Sequence, residues 1–411
     1  GLSSPWDENH EDGNDQSVFI VEEPVMELRW QRSDGVGAVL RKMEEGWVWA
    51  DQISFPVNQT MAQMMADTAA APEITRVLEL NRENQDRYGL TSPVCTVVIK
   101  TEKEEYVLSF GSQNSATGDY YMMSDSRDQI YMTHERVFNL YNHDILDLAV
   151  TEIIPGIPLN CVEKFSVVQG SENFALKWEE DTGQWITEDS GTAEQAADAW
   201  LAESLISSFL GLKFTEMVCF EPKDEELNQW GLTGEKRLLT LTYDSGEGTQ
   251  EYQLLLGNRD ESGAGRYCMP ADGRAVYLTD AERADQLLSL KASDYADLDV
   301  IDREPAAVGK LIVRIGEEQA VLNAGETSFN EIFFALYGLK GEKRIGEESD
   351  RQGEALLEFE IDMNEGENLN VTFYLYDQHY CLADSGGRLL LVNRQSVRKL
   401  LETAQEIIPQ L

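Results

Sequence analysis

One passage, two strands joined by a turn and running on into a helix, is written three times in this chain. It limits the fold more than any other feature. Tyr121-Met-Met-Ser-Asp-Ser-Arg-Asp-Gln-Ile-Tyr131-Met-Thr133 is the first copy. Tyr267-Cys-Met-Pro-Ala-Asp-Gly-Arg-Ala-Val-Tyr277-Leu-Thr279 is the second, and Tyr380-Cys-Leu-Ala-Asp-Ser-Gly-Gly-Arg-Leu-Leu390-Leu-Val392 a weaker third. The copies align without gaps. Tandem copies of one passage mean related modules in a row.

The flanks repeat as well. In the first module, residues 25–30 and 36–42 read as strands, and Gly46-Trp-Val-Trp49 follows a tight turn. Asn58 is expected to cap a helix whose inner face carries Met61, Met64, Met65 and Thr68. Strands are expected over 74–80, 94–100 and 105–111, and a short helix over 135–141. The second module repeats this order with strands over 162–169 and 174–179, then Trp185-Ile186. A helix over 193–210, stopped by Gly211, and a strand over 214–220 follow. Tyr88-Gly-Leu90 matches Trp230-Gly-Leu232, and Gly111 and Gly257 each stand ten residues before the repeat tyrosine.

The third module keeps strands over 310–315, 319–323, 356–362 and 370–376, with helices over 329–337 and 395–408. It lacks the aromatic-Gly-Leu turn and the tryptophan hairpin, as expected of a shortened unit capping a repeat array. Runs such as Val94-Cys-Thr-Val-Val-Ile99 alternate, which marks antiparallel sheets with one wet face. The expected class is α+β: tandem antiparallel sheet modules, each with one main helix, the third degenerate. The expected boundaries are a flexible tether over 1–17 and modules over 18–150, 151–300 and 301–411.

Charge narrows the partners. The chain of 411 residues carries 75 acids against 33 bases, a formal net charge of −42. Such a field repels nucleic-acid phosphates and anionic headgroups, so neither is an expected partner. The acids are dispersed, which reads as a solvated coat. None of the five cysteines forms a Cys-x-x-Cys pair, and free thiols are expected. Cys268, Cys381 and Met122 share one repeat position, a small buried apolar site. No apolar run approaches the roughly 18 residues of a membrane span. The opening Gly1-Leu-Ser-Ser reads as an expression scar. Membrane attachment is expected only through a removed N-terminal anchor.

The tryptophan hairpins at Trp47-Val48 and Trp185-Ile186, the aromatic-Gly-Leu turns, Gly111 and Gly257, and the paired tyrosines resemble a bacterial family known as domain of unknown function 4340. Family members often have proline after the Gly-Leu turn. Pro93 fits that pattern, whereas the second module has Gly234-Glu235. The resemblance implies an extracytoplasmic protein, membrane-tethered or lipid-anchored, some relatives being encoded beside transport ATPase systems. It supplies no catalytic residues.

The chain's own chemistry points the same way. Asp384-Ser-Gly-Gly387 looks like a serine-protease nucleophile loop, but Asp125-Ser-Arg-Asp128 and Asp272-Gly-Arg274 occupy the same hairpin tip, so a turn accounts for it. His134-Glu135 lacks the second histidine of a zinc helix, and His143 falls on the wrong face to supply it. Gly263-Ala-Gly265 lacks the third glycine of a dinucleotide turn. No catalytic residue, cofactor or metal site is expected. Trp47 and Trp185 recur and are expected in the core. Trp49 has no counterpart, is read as facing away from Trp47, and is the one aromatic expected as a contact surface. The expected function is non-enzymatic binding or scaffolding at the envelope, with a protein or envelope polymer as partner. The alternatives are a cell-surface polymer hydrolase using a carboxylate pair and a calcium-stabilised adhesin.

Overall fold

The computed structural model describes residues 19–346 and 353–408; the expected tether over 1–17 lies outside them. The chain divides into two compact bodies. One holds the described residues up to Ile153 with Lys213–Trp230 and Arg259–Asp280; the other holds Ile154–Leu212, Gly231–Asn258 and the described residues from Ala281 on.

The first module comprises β1 (Glu27–Arg32), β2 (Gly37–Met43), β3 (Gly46–Trp49), α1 (Gln59–Ala70), β4 (Ile74–Glu79) and α2 (Arg82–Arg87). Then come β5 (Cys95–Lys100), β6 (Glu105–Gln113), β7 (Tyr120–Ser124), β8 (Gln129–Thr133) and α3 (Glu135–Asn139). Its sheet runs β3-β2-β1-β5-β6-β7-β8-β4, antiparallel throughout. Asn58 caps α1 as expected, its Oδ1 accepting the Met61 N–H at 3.0 Å. The buried stripe of α1 is Ala62, Met65, Ala66 and Ala69. Met64 lies outside it and is exposed, so the expected Met61–Met64–Met65 face is corrected by about one position.

The second module comprises β9 (Val162–Gln169), β10 (Glu172–Glu179), β11 (Gln184–Asp189), β12 (Thr192–Ala196), α4 (Ala199–Leu210), β13 (Glu216–Phe220) and α5 (Asp224–Gln229). Then come β14 (Arg237–Asp244), β15 (Thr249–Arg259), β16 (Gly265–Pro270), β17 (Ala275–Asp280) and α6 (Ala281–Leu288). Within the second body the order is β12-β11-β10-β9-β14-β15, and within the first it is β16-β17-β13. These two runs repeat β3-β2-β1-β5-β6 and β7-β8-β4, with β12 as an added edge. The helix expected from 193 begins at Ala199 because residues 192–196 pair with β11 instead. Asp198 then caps α4 as Asn58 caps α1, accepting the Leu201 N–H at 3.0 Å.

The third module comprises β18 (Val308–Ile315), β19 (Glu318–Asn323), α7 (Thr327–Tyr337), β20 (Lys343–Ile345), β21 (Leu357–Met363) and β22 (Leu369–Leu375). It closes with β23 (Tyr380–Ser385), β24 (Arg388–Asn393) and α8 (Arg394–Ile407). Its order, β19-β18-β21-β22-β23-β24-β20, is the same topology with the tryptophan strand removed. The chain is thus α+β, a tandem repeat of antiparallel sheets with a degenerate third unit.

Each main helix buries the same four positions. Ala62, Met65, Ala66 and Ala69 in α1 correspond to Ala202, Leu205, Ile206 and Phe209 in α4, and to Phe329, Ile332, Phe333 and Leu336 in α7. This is the i, i+3, i+4, i+7 stripe of a helix lying on a sheet. In the third module that stripe joins Leu311, Leu322, Phe359, Phe373 and Leu400 in one core.

The repeated hairpins differ in one respect. Met122 pairs with Tyr131 and Cys268 with Tyr277, across four-residue loops at 125–128 and 271–274. Cys381 pairs instead with Val392, because Gly386 and Gly387, at φ 58° and 92°, close a two-residue turn. The third hairpin has therefore slipped by two residues relative to the other two. Strand facing has period two, so the slip leaves every side chain on its own face. Cys381, Ala383, Leu390 and Val392 enter the core, while Leu382, Leu389 and Leu391 form a cluster on the other face.

Candidate functional site

Within the first body, the tip of the second hairpin and the segments at 52–56 and 150–152 enclose a recess of about 350 Å³. Its lining includes Ser54, Val150, Glu152, Phe220, Asp272, Arg274 and Tyr277. An aromatic ladder stands behind it. Trp49 meets Phe55 edge-on at 5.2 Å, and Phe55 meets Phe220 edge-on at 5.4 Å. The Arg274 guanidinium covers the far face of that ladder, 4.9 Å from the Phe220 ring centroid.

The polar groups of the recess hold one another. Arg274 pairs with Glu221 and donates to Ser54 Oγ at 3.0 Å. Gln52 donates to the same Glu221 carboxylate. Glu221 sits at φ 52°, the left-handed region a side chain disfavours, and its N–H donates to the Arg274 carbonyl at 2.6 Å. Such a residue costs on the order of 1 kcal/mol and persists because its surroundings fix it. The Tyr277 hydroxyl donates to Glu152 Oε2 at 3.1 Å and accepts the Glu152 N–H at 3.2 Å. Burial, with the Glu152 charge, pushes the Tyr277 phenol up to about 12, so it stays a donor at neutral pH.

Arg274 is already ion-paired with Glu221, and the Tyr277 O–H is already donated to Glu152, so these polar groups of the recess satisfy one another. Among the described residues no cluster of three or more His, Cys, Asp or Glu is placed to hold a metal ion. His134 lies between Glu73 and Asp119, at 3.4 Å from each, while His143 is 3.7 Å from Asp147. The hydroxyl of Ser385 is buried and donates to the Val300 carbonyl at 2.5 Å, so this serine anchors a turn.

Trp49 needs one correction. The register Lys42 to Trp47 and Leu40 to Trp49 puts both tryptophans on the helix side of the sheet, since residues two apart share a strand face. Trp47 is buried, its indole N–H donating to Gln63 Oε1 at 2.9 Å. Trp49 is half-buried at the inner end of the ladder. Trp185 is buried like Trp47. The recess residues themselves carry no sequence signal, because Ser54 and Arg274 are 220 positions apart.

The family model described as "Domain of unknown function (DUF4340)" matches residues 47–229 and 203–348. No curated protein and no solved structure matches the chain. None of the described helices is long and apolar enough to cross a membrane. With the greater part of its length matched by that model, the chain belongs to the DUF4340 family.

Proposed function

We propose that this protein is a non-enzymatic binding or scaffolding component of the bacterial envelope. It works outside the cytoplasm, is anchored in its full-length form, and contacts a protein or envelope polymer through the recess at Arg274. The observation that carries the reading is the contrast between the interior of the recess and its surroundings. The polar groups inside are engaged with one another, while Val150 in the lining is 52% exposed and the neighbouring Ile53 and Ile153 are 73% and 79% exposed. Large apolar side chains left in water beside a shaped hollow favour association.

The test is recovery of an envelope partner by cross-linking, comparing the native protein with Val150→Glu and Ile153→Glu. Loss of the same partner from both variants, with the fold intact by circular dichroism, supports the reading. Equal recovery overturns it. The hydrolase alternative rests on Glu152 and Asp272 lining one recess. Turnover of a cell-surface polymer that Glu152→Gln and Asp272→Asn each abolish would favour that alternative.

A further inference from the structure

In the first two modules the second strand of the sheet is covered by a third, β3 on β2 and β11 on β10. In the third module the counterpart strand, β19, is the edge of its sheet. Among the described residues no strand pairs with its outer side, and only Asn323 at its end is capped, its N–H donating to Glu326 Oε2 at 3.1 Å and its carbonyl accepting the Glu326 N–H at 3.1 Å. Asn323 ends β19 and the chain enters α7 at Thr327.

The helix beside that edge records what is missing. In α1, Gln59 and Gln63 grip the third strand. Gln59 accepts the Trp47 N–H at 2.6 Å and donates to the Trp47 carbonyl at 2.7 Å, while Gln63 takes the indole N–H. Asp67 continues the stripe, accepting from Gln63 at 2.8 Å. The shared buried positions equate Gln59, Gln63 and Asp67 with Glu326, which precedes α7, and with Asn330 and Phe334 within it. Where the strand is present, the third position is polar: Asp67 in α1 and Ser207 in α4. Where the strand is absent it is Phe334, 56% exposed. On the edge itself Val321 is 44% exposed.

We propose that the outer edge of β19 accepts an extended segment of a partner protein as an added strand, filling the place that β3 and β11 take in the other modules. An open edge supplies unpaired backbone donors and acceptors, and Phe334 supplies a surface for an apolar or aromatic side chain. Charge selects the partner. Exposed Glu317 and Glu318 stand at the start of the edge strand and exposed Glu326 just past its end, so the incoming segment is basic. A second copy of this chain, at −42, brings like charge to like. The site is separate from the Arg274 recess and stands or falls independently of it.

The probe is a synthetic peptide carrying Gly-Trp-Val-Trp, the sequence of β3, between pairs of lysines. Binding is followed by fluorescence anisotropy and by amide exchange of 318–323. The expected result is saturable binding that slows exchange in that stretch and weakens as salt is raised. Phe334→Ala weakens it about tenfold or more, Phe334→Tyr retains it, and a proline-interrupted peptide fails to bind. Absence of binding to the native protein overturns the proposal, as does undiminished binding to Phe334→Ala. Concentration-dependent protection of 318–323 without peptide makes a second copy the occupant and likewise overturns it. The cross-linking result with Val150→Glu bears on neither outcome.

Discussion

The ring of Tyr88 lies flat on that of Tyr121, centroids 3.9 Å apart and planes 12° from parallel. The second module repeats the contact between Trp230 and Tyr267 at 5.5 Å. The aromatic of each Gly-Leu turn thus covers the first tyrosine of the repeated hairpin. Gly89 and Gly231, at φ 72° and 71°, make the bend behind each aromatic possible. A double-mutant cycle with Tyr88→Ala and Tyr121→Ala should give a coupling of about 1 kcal/mol in urea unfolding. Additive losses would mean that the stack contributes area alone.

Thr133 and Thr279 occupy one repeat position and make the same bond, donating to the Glu73 carbonyl at 2.6 Å and the Lys213 carbonyl at 2.9 Å. Thr133→Val and Thr279→Val should each cost about 1 kcal/mol in urea unfolding. In the third module the aligned residue is Val392, in the core. Val392→Thr should therefore destabilise, by roughly 1–3 kcal/mol.

Burial holds the Asp297 carboxyl above its ordinary 3.8, and the nearby Asp299 charge pushes the same way against the Asp299 N–H that donates to it at 2.9 Å. The folded state therefore holds this proton more tightly than the unfolded one. Its contribution to stability is complete below about 3.8 and falls as pH rises through the raised value. Asp297→Asn should stabilise the protein at neutral pH and flatten that part of the pH profile. An unchanged urea midpoint from acid to neutral pH would refute this.

The thiols should separate by burial. Cys95 and Cys219 are pushed up to about 11, both by burial first, Cys219 also by the Glu226 carboxylate 3.5 Å away. Burial also raises Cys268 and Cys381. At neutral pH a thiol reagent should modify half-exposed Cys161 fastest, Cys219, equally half-exposed but with its thiol pushed up, slowly, and buried Cys95, Cys268 and Cys381 only after unfolding. Rapid native labelling of Cys268 would contradict the core placement.

Local pattern carried much of the fold. The strand at Val162–Gln169 and the caps at Asn58 and Gly211 follow from alternation and capping chemistry alone. Residues 193–198 misled because Ala, Glu and Gln favour helix, and only pairing with β11 overrides that preference. The short helices α2 and α5 were legible in hindsight, from the Asn81 cap and the acidic run Asp224–Glu226. The recess was not. Its residues meet through tertiary packing, and the left-handed Glu221 at its edge belongs to no turn motif that composition announces.

The tighter tip of the third hairpin shows how such an array can drift. The three copies are equally long, so nothing was lost: moving the pairing register by two conserves parity and keeps interior and exterior where they were, whereas a move by one would turn the following strand inside out. Divergence at these tips is thereby channelled into steps of two. Copies can grow unlike in outline while their interiors remain interchangeable.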